Sequence, residues 1–218
     1  GNSRFIGRNL LFQSLDTNIP SSGSDIYNVK LDDCVINEGV GNSGSCDLRL
    51  VLERTLVTKE TYSTLLTATD SQFGQQVSTQ LLKATGCTFP ESLKLYGPRA
   101  EFYGCTFPIA ATTIIMMDGT GNERCYFDKA SAVAFAAIDG DVSGGEPESQ
   151  YDGPWLIRTD GTFSEGQCAR LRTPILVRPC TGDSLDTSDM IGIVSPSQPT
   201  PNRLALVWGH GRVPLSGL

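Results

Sequence analysis

Residues 84–89, ATGCTF, are echoed at residues 102–107, FYGCTF, so Gly-Cys-Thr-Phe occurs twice, eighteen residues apart. A metal site, a disulfide or a repeating structural unit would each place two cysteines this way. The surrounding sequence favours the repeat. Short segments align on a small or apolar residue two positions before an aromatic or aliphatic one. The set is Leu10–Phe12, Cys34–Ile36, Thr55–Val57, Ser71–Phe73, Cys87–Phe89, Cys105–Phe107 and Cys125–Phe127. Steps between first members are 24, 21, 16, 16, 18 and 20 residues. The outer residues are of inward type and the middle one varies, which is the period-2 signature of a short strand.

A second strand precedes several of these segments, at 48–52, 78–82, 92–96 and 113–117. Gly, Asn, Asp and Pro punctuate the gaps, as in NEGVGNSGS, PES, YGP and DGTGN. Short strands, frequent turns and a coil of 16–24 residues predict a short parallel β-solenoid over residues 1–140; a β-sandwich of hairpins is the alternative. Leucine-rich repeats share the period but need a Leu/Asn consensus that is missing. Each coil is too small to bury its own apolar face. Stacking at about 4.8 Å per rung pairs the backbones and makes one core. The expected aromatic column is Phe73, Phe89, Phe107 and Phe127. The expected column of small residues is Cys34, Thr55, Ser71, Cys87, Cys105 and Cys125.

Composition agrees with a β-rich globular chain. Hydrophobic residues make up 39 % and charged residues 19 % of the 218, so a core is affordable; 23 Gly and 12 Pro argue against long helices. A net charge of −7 without a Lys/Arg run speaks against nucleic acid. The longest apolar run, residues 131–138, is far shorter than the roughly 18 residues of a membrane-spanning helix. The N-terminal GNSRFIGRNLLF lacks the basic-then-apolar order of a secretory leader. Seven cysteines are an odd and sparse set, expected as reduced, mostly buried thiols.

Residues 141–153 are acidic, Gly/Pro-rich and nearly free of apolar side chains, and read as a linker. Residues 154–218 then carry strand-like runs at 155–158, 169–172, 174–178, 190–194 and 203–208, which predict a small antiparallel β-domain.

No constellation carries recognisable chemistry. There is no CxxC and His210 is the only histidine, so a Cys2His2 zinc site is not available from this chain. His210 stands between glycines in a terminal turn, without the oriented carboxylate a catalytic base needs. Cys87 and Cys105, on neighbouring rungs, lie within disulfide reach, but stacked reduced thiols are the simpler reading. DGTGNER at 118–124 lacks the Lys-Ser/Thr of a phosphate loop. Polysaccharide cleavage needs two carboxylates about 5–10 Å apart. Asp32, Asp33, Asp70, Glu101 and Asp118 are the candidates. Adjacent Asp32 and Asp33 point to opposite faces of a strand, and Asp70 and Glu101 lie two rungs apart. Both tryptophans, Trp155 and Trp208, fall outside the repeat, so no aromatic sugar platform is visible. No catalytic, cofactor or metal residue is assigned.

Two resemblances bear on function. EGQCARL (165–171), PILVRPCTGDSLDTSDMIGIVSP (174–196) and NRLALVWGHGRVPLSGL (202–218) resemble a module of bacteriophage fibre and decoration proteins. The repeated GCTF coils resemble the right-handed parallel β-helix of phage tailspikes and pectate-lyase-like enzymes. The combination implies a virion surface protein: a non-enzymatic homotrimer that decorates or cements the capsid, partnered by the major capsid protein or tail proteins. Ile114, Met116, Tyr126 and Phe135 are the candidate outward residues for the trimer contact. The alternative is a tail spike or fibre binding host surface polysaccharide through loops 18–25 and 38–45. A polysaccharide-degrading enzyme is the third reading.

Overall fold

The computed structural model describes residues 2–15, 26–41, 47–89, 92–110, 112–149, 154–164, 166–173, 176–180, 190–194, 201 and 203–209. The chain is nearly all-β, with parallel sheets followed by a small closed barrel. The parallel part opens with β1 (Asn2–Arg8), β2 (Leu11–Phe12), β3 (Ile26–Asp32), β4 (Val35–Ile36), β5 (Asp47–Glu53) and β6 (Leu56–Val57). It continues through β7 (Thr61–Thr69), β8 (Gln72–Phe73), β9 (Val77–Thr85), β10 (Leu93–Leu95), β11 (Arg99–Tyr103), β12 (Thr113–Met116) and β13 (Arg124–Phe127). After helix α1 (Lys129–Ala137) come β14 (Asp141–Ser143) and β15 (Glu146–Ser149).

All of these strands pair in parallel. One ladder runs β1-β3-β5-β7-β9 and a second runs β2-β4-β6-β8. Single bridges Leu15–Val40 and Val40–Thr61 start a third line. At β9 the long ladder divides: Val77–Thr79 pairs with β10, and Leu82–Thr85 with β11. The sequence forces that division. Pro98 has no N–H for a ladder. At Gly97 an added Cβ would lie 2.2 Å from the Gln80 carbonyl oxygen, so only glycine passes. The next two rungs keep the break, with residues 117–123 between β12 and β13 and Gly144-Gly145 between β14 and β15.

The turn before each small residue is held by one backbone device. Asn9, Asp33, Arg54, Asp70, Gly86 and Gly104 all have positive φ, between 46° and 64°. Each of the first five sends its N–H to the next rung, onto the carbonyls of Asp32, Glu53, Thr69, Thr85 and Tyr103 in turn. This explains Gly in GCTF: its φ is left-handed, where L side chains are strained. The following residues Cys34, Thr55, Ser71, Cys87 and Cys105 are all nearly fully buried. The Ser71 hydroxyl accepts from Thr55 N–H at 3.1 Å, and Thr55 Oγ1 from Cys34 N–H at 3.5 Å.

Two sequence expectations for this core need correction. Cys125 pairs in register with Ala100, not with Cys105, because it lies inside β13 rather than after a left-handed turn. Phe127 likewise sits over Phe102. Two aromatic columns result, Phe73–Phe89–Phe107 and Phe102–Phe127, with centroid spacings of 5.1–6.1 Å. Phe135 of α1 joins them, 5.0 Å from both Phe107 and Phe127.

Residues 141–149, read from sequence as linker, carry β14 and β15 and form the last rung on β12 and β13. Their polarity is explained by place: only Val142 among them is buried apolar core. Residues 150–153 lie outside the described residues. The apolar run 131–138 lies largely in α1, which closes this end. Asp128 caps it, accepting from Ser131 N–H at 2.9 Å, and also takes the Gly104 N–H at 3.0 Å. The Ser131 hydroxyl accepts from Cys105 N–H at 2.9 Å. Side chains thus satisfy the two donors that a further rung would have met.

The barrel comprises β16 (Trp155–Thr159), β17 (Cys168–Thr173), β18 (Leu176–Pro179), β19 (Met190–Val194) and β20 (Leu204–Trp208), closed in the order β16-β18-β17-β19-β20. The predicted antiparallel pairing holds except where β16 and β18 meet in parallel. Strand β20 is buried along its whole length. Ala205 and Val207 face the barrel interior, whereas Leu204, Leu206 and Trp208 join the core of the stack. A strand buried on both faces reads as a continuous apolar run, as LALVW does.

Candidate functional site

The outer side of the stack is where chemistry is exposed. Outward positions of neighbouring strands and turns form charged pairs: Lys30 Nζ to Glu53 on the diagonal at 2.7 Å, Arg8 to Asp32 in register at 3.7 Å, and Arg54 to Asp33 at 2.8 Å. Lys30 holds the Glu53 carboxyl below its ordinary pKa, and Arg54 does the same for Asp33. Arg54 also bonds Asp32. The two neighbouring aspartates therefore share one guanidinium and form no acid–base pair. Asp70 occupies a left-handed turn, with a carboxylate oxygen 2.3 Å from where a Cβ on Gly86 would stand. Asp118 accepts from the Thr120 hydroxyl at 3.2 Å.

Glu101 lies in the richest exposed cluster. Outward residues of β9, β11, β13 and β15 put Lys83, Glu101, Tyr126 and Glu148 in one column. Glu101 accepts from Arg99 Nε at 2.9 Å and from the Tyr103 hydroxyl at 3.1 Å. Burial alone would raise the Glu101 carboxyl; these donors, with the charges of Arg99 and Lys83, outweigh it and hold the pKa below the usual range. Tyr103 is pushed up by burial and by its bond to Glu101. The Tyr103 and Tyr126 rings lie 5.4 Å apart, and Lys83 Nζ is 5.7 Å from the Tyr103 centroid. This aromatic pair was missed in the sequence because its members are 23 residues apart and only the register joins them.

Beside this cluster is a shallow groove of about 260 Å³, walled by Leu65, Leu81, Lys83, Arg99 and Glu101. Leu81, Tyr96 and Met117 expose 42 %, 44 % and 50 % of their surface around the split of the sheet. They are the exposed apolar side of the molecule there. Of the residues expected to face outward, Ile114, Met116 and Phe135 are core, at 0–4 % exposure, and only Tyr126 reaches the surface. The parity of β12 is the reason: Ile114 and Met116 share the inward face, and Met117 follows on the other.

Cys34, Cys87, Cys105 and Cys125 are free and buried. Burial pushes the Cys87 thiol up to about 11 and the Cys105 thiol up to about 12. These are inert core thiols. The 118–124 loop is folded on its own carboxylate: Glu123 is 1 % exposed and accepts from Thr120 N–H at 2.8 Å. Its own backbone N–H, and those of Thr120, Gly119 and Gly121, hold its pKa low. The loop thus spends its donors internally.

A recess of about 440 Å³ between the last rung and the barrel is lined by Glu123, Asp141, Glu146 and Arg158. Arg158 bonds Asp141 at 3.2 Å and the Val142 carbonyl at 2.6 Å, so its charge is used in joining the two regions. Among the described residues, no group of three His, Cys, Asp or Glu is placed to hold a metal ion. His210 and loop 18–25 lie outside the described residues, as do residues 42–45 of the second candidate loop. No protein-family model, curated protein or solved structure matches the chain.

Proposed function

We propose that the chain is a non-enzymatic structural component of a bacteriophage virion, a β-solenoid surface protein that forms a homotrimer and decorates or cements the capsid. The parallel ladders, stepping by 16 to 24 residues with like side chains over like, support one winding coil as the architecture. The observation that carries the reading is the lateral apolar patch of Leu81, Tyr96 and Met117 beside half-buried Leu65. These residues stand on the flank of a rigid stack whose interior is filled. Exposed apolar side chains grouped in this way mark interaction surfaces. Three flanks meeting around an axis parallel to the stack would bury them, and an acidic exterior keeps the chains soluble until assembly. Light scattering at micromolar concentration is expected to give three times the 23.4 kDa chain mass. Leu81→Glu with Met117→Glu is expected to yield monomer. A wild-type monomer that fails to cosediment with capsids overturns the proposal.

The second reading, a tail spike or fibre that binds host polysaccharide, is favoured by the Tyr103–Tyr126 pair with Lys83 and Arg124 around it. Aromatic faces and charged rims suit sugar rings. A glycan array with Tyr126→Ala as control decides it: a signal lost in the variant supports this reading, and no signal from either protein removes it.

A further inference from the structure

Two cysteines of the barrel stand directly across a strand pair. Ala169 of β17 pairs with Pro179 of β18 in antiparallel register, so Cys168 and Cys180 oppose each other one position further on. The Cys180 N–H donates to the Cys168 carbonyl at 3.0 Å, which carries the pairing past Pro179, a residue without an N–H. Residues opposed in this hydrogen-bonded way have Cα atoms about 5.5 Å apart, inside the roughly 4.4–6.8 Å that a disulfide spans. The two side chains already share a hydrogen bond.

Parity decides their access. Ala169 and Val177 point into the barrel core, so Cys168 and Cys180, at alternate positions, point away from it. Both are free and half-buried. Cys87 and Cys105 of the stack are the opposite case: they occupy successive rungs, but each is at most 1 % exposed, out of reach of an oxidant in solution. Charge then selects the co-reactant. Arg170 and Arg178 are the next opposed pair on the cysteines' face, and Arg178 is exposed. Burial and the neighbouring Cys168 push the Cys180 thiol up, and the Arg170 charge acts against that rise. Two guanidinium groups beside a dithiol draw in an anion.

We propose that Cys168 and Cys180 are a reversible redox pair, closed to a disulfide by exchange with an anionic small-molecule disulfide of the glutathione class. One cysteine loses its proton to water and its thiolate attacks a sulfur of the co-reactant. The S–S bond of the co-reactant breaks, one small thiolate leaves, and a mixed disulfide remains on the protein. The second cysteine loses its proton and attacks the sulfur of the first. The Sγ–Sγ bond forms, the second small thiolate leaves, and both small thiolates take up protons. Two protein thiols are oxidised and one small disulfide is reduced to two thiols. The new bond fastens β17 to β18.

The test uses the whole chain, first reduced and then held with excess glutathione disulfide. The intact mass is expected to fall by two hydrogens, and a non-reduced digest to yield one crosslinked peptide joining Cys168 to Cys180. Cys168→Ser and Cys180→Ser each remove one partner, and each is expected to stop at the mixed disulfide, at least tenfold above the parent. Arg178→Gln, at an exposed position, should slow the reaction with glutathione disulfide about threefold at low salt, and should not slow that with the cationic disulfide cystamine. Glutathione retained on both cysteines of the parent, or a crosslink to any other cysteine or to a second chain, overturns the pairing. So does a parent that stays reduced while its urea-unfolded form reacts. Cystamine reacting as fast as glutathione disulfide overturns the choice of an anionic co-reactant.

Discussion

The parallel stack and the barrel solve one problem in two ways. Each is a set of strands whose backbone groups and apolar faces need partners. The barrel closes on itself: β16 meets both β18 and β20, so no edge is left in its ring. The parallel ladders add strand beside strand without closing. Beyond β13 and β15 they are covered by α1 and the barrel; at β1, no described residue pairs with the outer edge. The barrel also completes the stack's core, because β20 is buried on both of its faces. Closure therefore protects a small domain, whereas open stacking creates surfaces that something else must cover.

Core truncation tests this contrast with the largest effect. Phe102→Ala in the stack and Phe163→Ala in the barrel each remove a buried ring, at about 3–5 kcal/mol. Phe102 touches the rings of Phe89, Phe107 and Phe127, adding about 0.5–1.5 kcal/mol per favourable pair, so it should stand at the top of that range. Urea unfolding measures both. If Phe163→Ala melts the stack as fully as Phe102→Ala does, the two regions are one cooperative unit and the contrast is only architectural.

Thiol labelling should sort the cysteines by region. Cys168 and Cys180 of the barrel are half-buried, whereas Cys34, Cys87, Cys105 and Cys125 of the stack are buried. Peptide-resolved alkylation is expected to modify the barrel pair about 100-fold faster, equivalent to about 2.8 kcal/mol of opening at 1.4 kcal/mol per tenfold. Comparable rates would mean that the stack breathes as readily as the barrel.

The cap gives a smaller effect. Asp128→Ala removes both the α1 N-cap and the partner of Gly104 N–H, for a loss of about 1–2 kcal/mol. Asp128→Asn should recover most of it, since an amide oxygen still accepts. An unchanged melting temperature in the alanine variant would detach α1 from the stability of the stack.

Acid should act most weakly, and on the stack's ion-paired flank. Asp33 and Glu53 have depressed carboxyl pKa values in the folded chain. Such groups contribute stability that is present above the unfolded pKa and is lost as pH falls through the folded one. The melting temperature should therefore drop as pH falls below about 4. Lys30→Met should make the drop shallower by removing the partner of Glu53. A variant with the same acid slope as the parent would exclude this pair as a source.

The column of Cys34, Thr55, Ser71, Cys87 and Cys105 was legible in the sequence because a left-handed turn must precede each small residue and the core must follow. Cys125 and Phe127 have the same local spacing but belong to a different column. Their spelling is local, whereas the break at Gly97-Pro98 that shifts the ladder is a property of the neighbouring rung. The lateral patch was misplaced for a related reason. Alternation gives the two faces of β12 but not which one is inside, so Met116 and Met117 exchange roles. The Tyr103–Tyr126 cluster depends wholly on register.

By itself the sequence determined the strand-rich class, the repeated short rungs, the small-residue and phenylalanine columns up to Phe107, and the strands of the C-terminal region. These follow from local rules: period-2 alternation, turn residues, and the lack of any run long enough for a membrane helix. Only the tertiary structure decided that residues 141–149 pair with β12 and β13, that α1 covers the turn beyond, and that β20 serves two cores. Each of these turns on where a backbone donor or an apolar face finds its partner, and that partner lies far away in the chain.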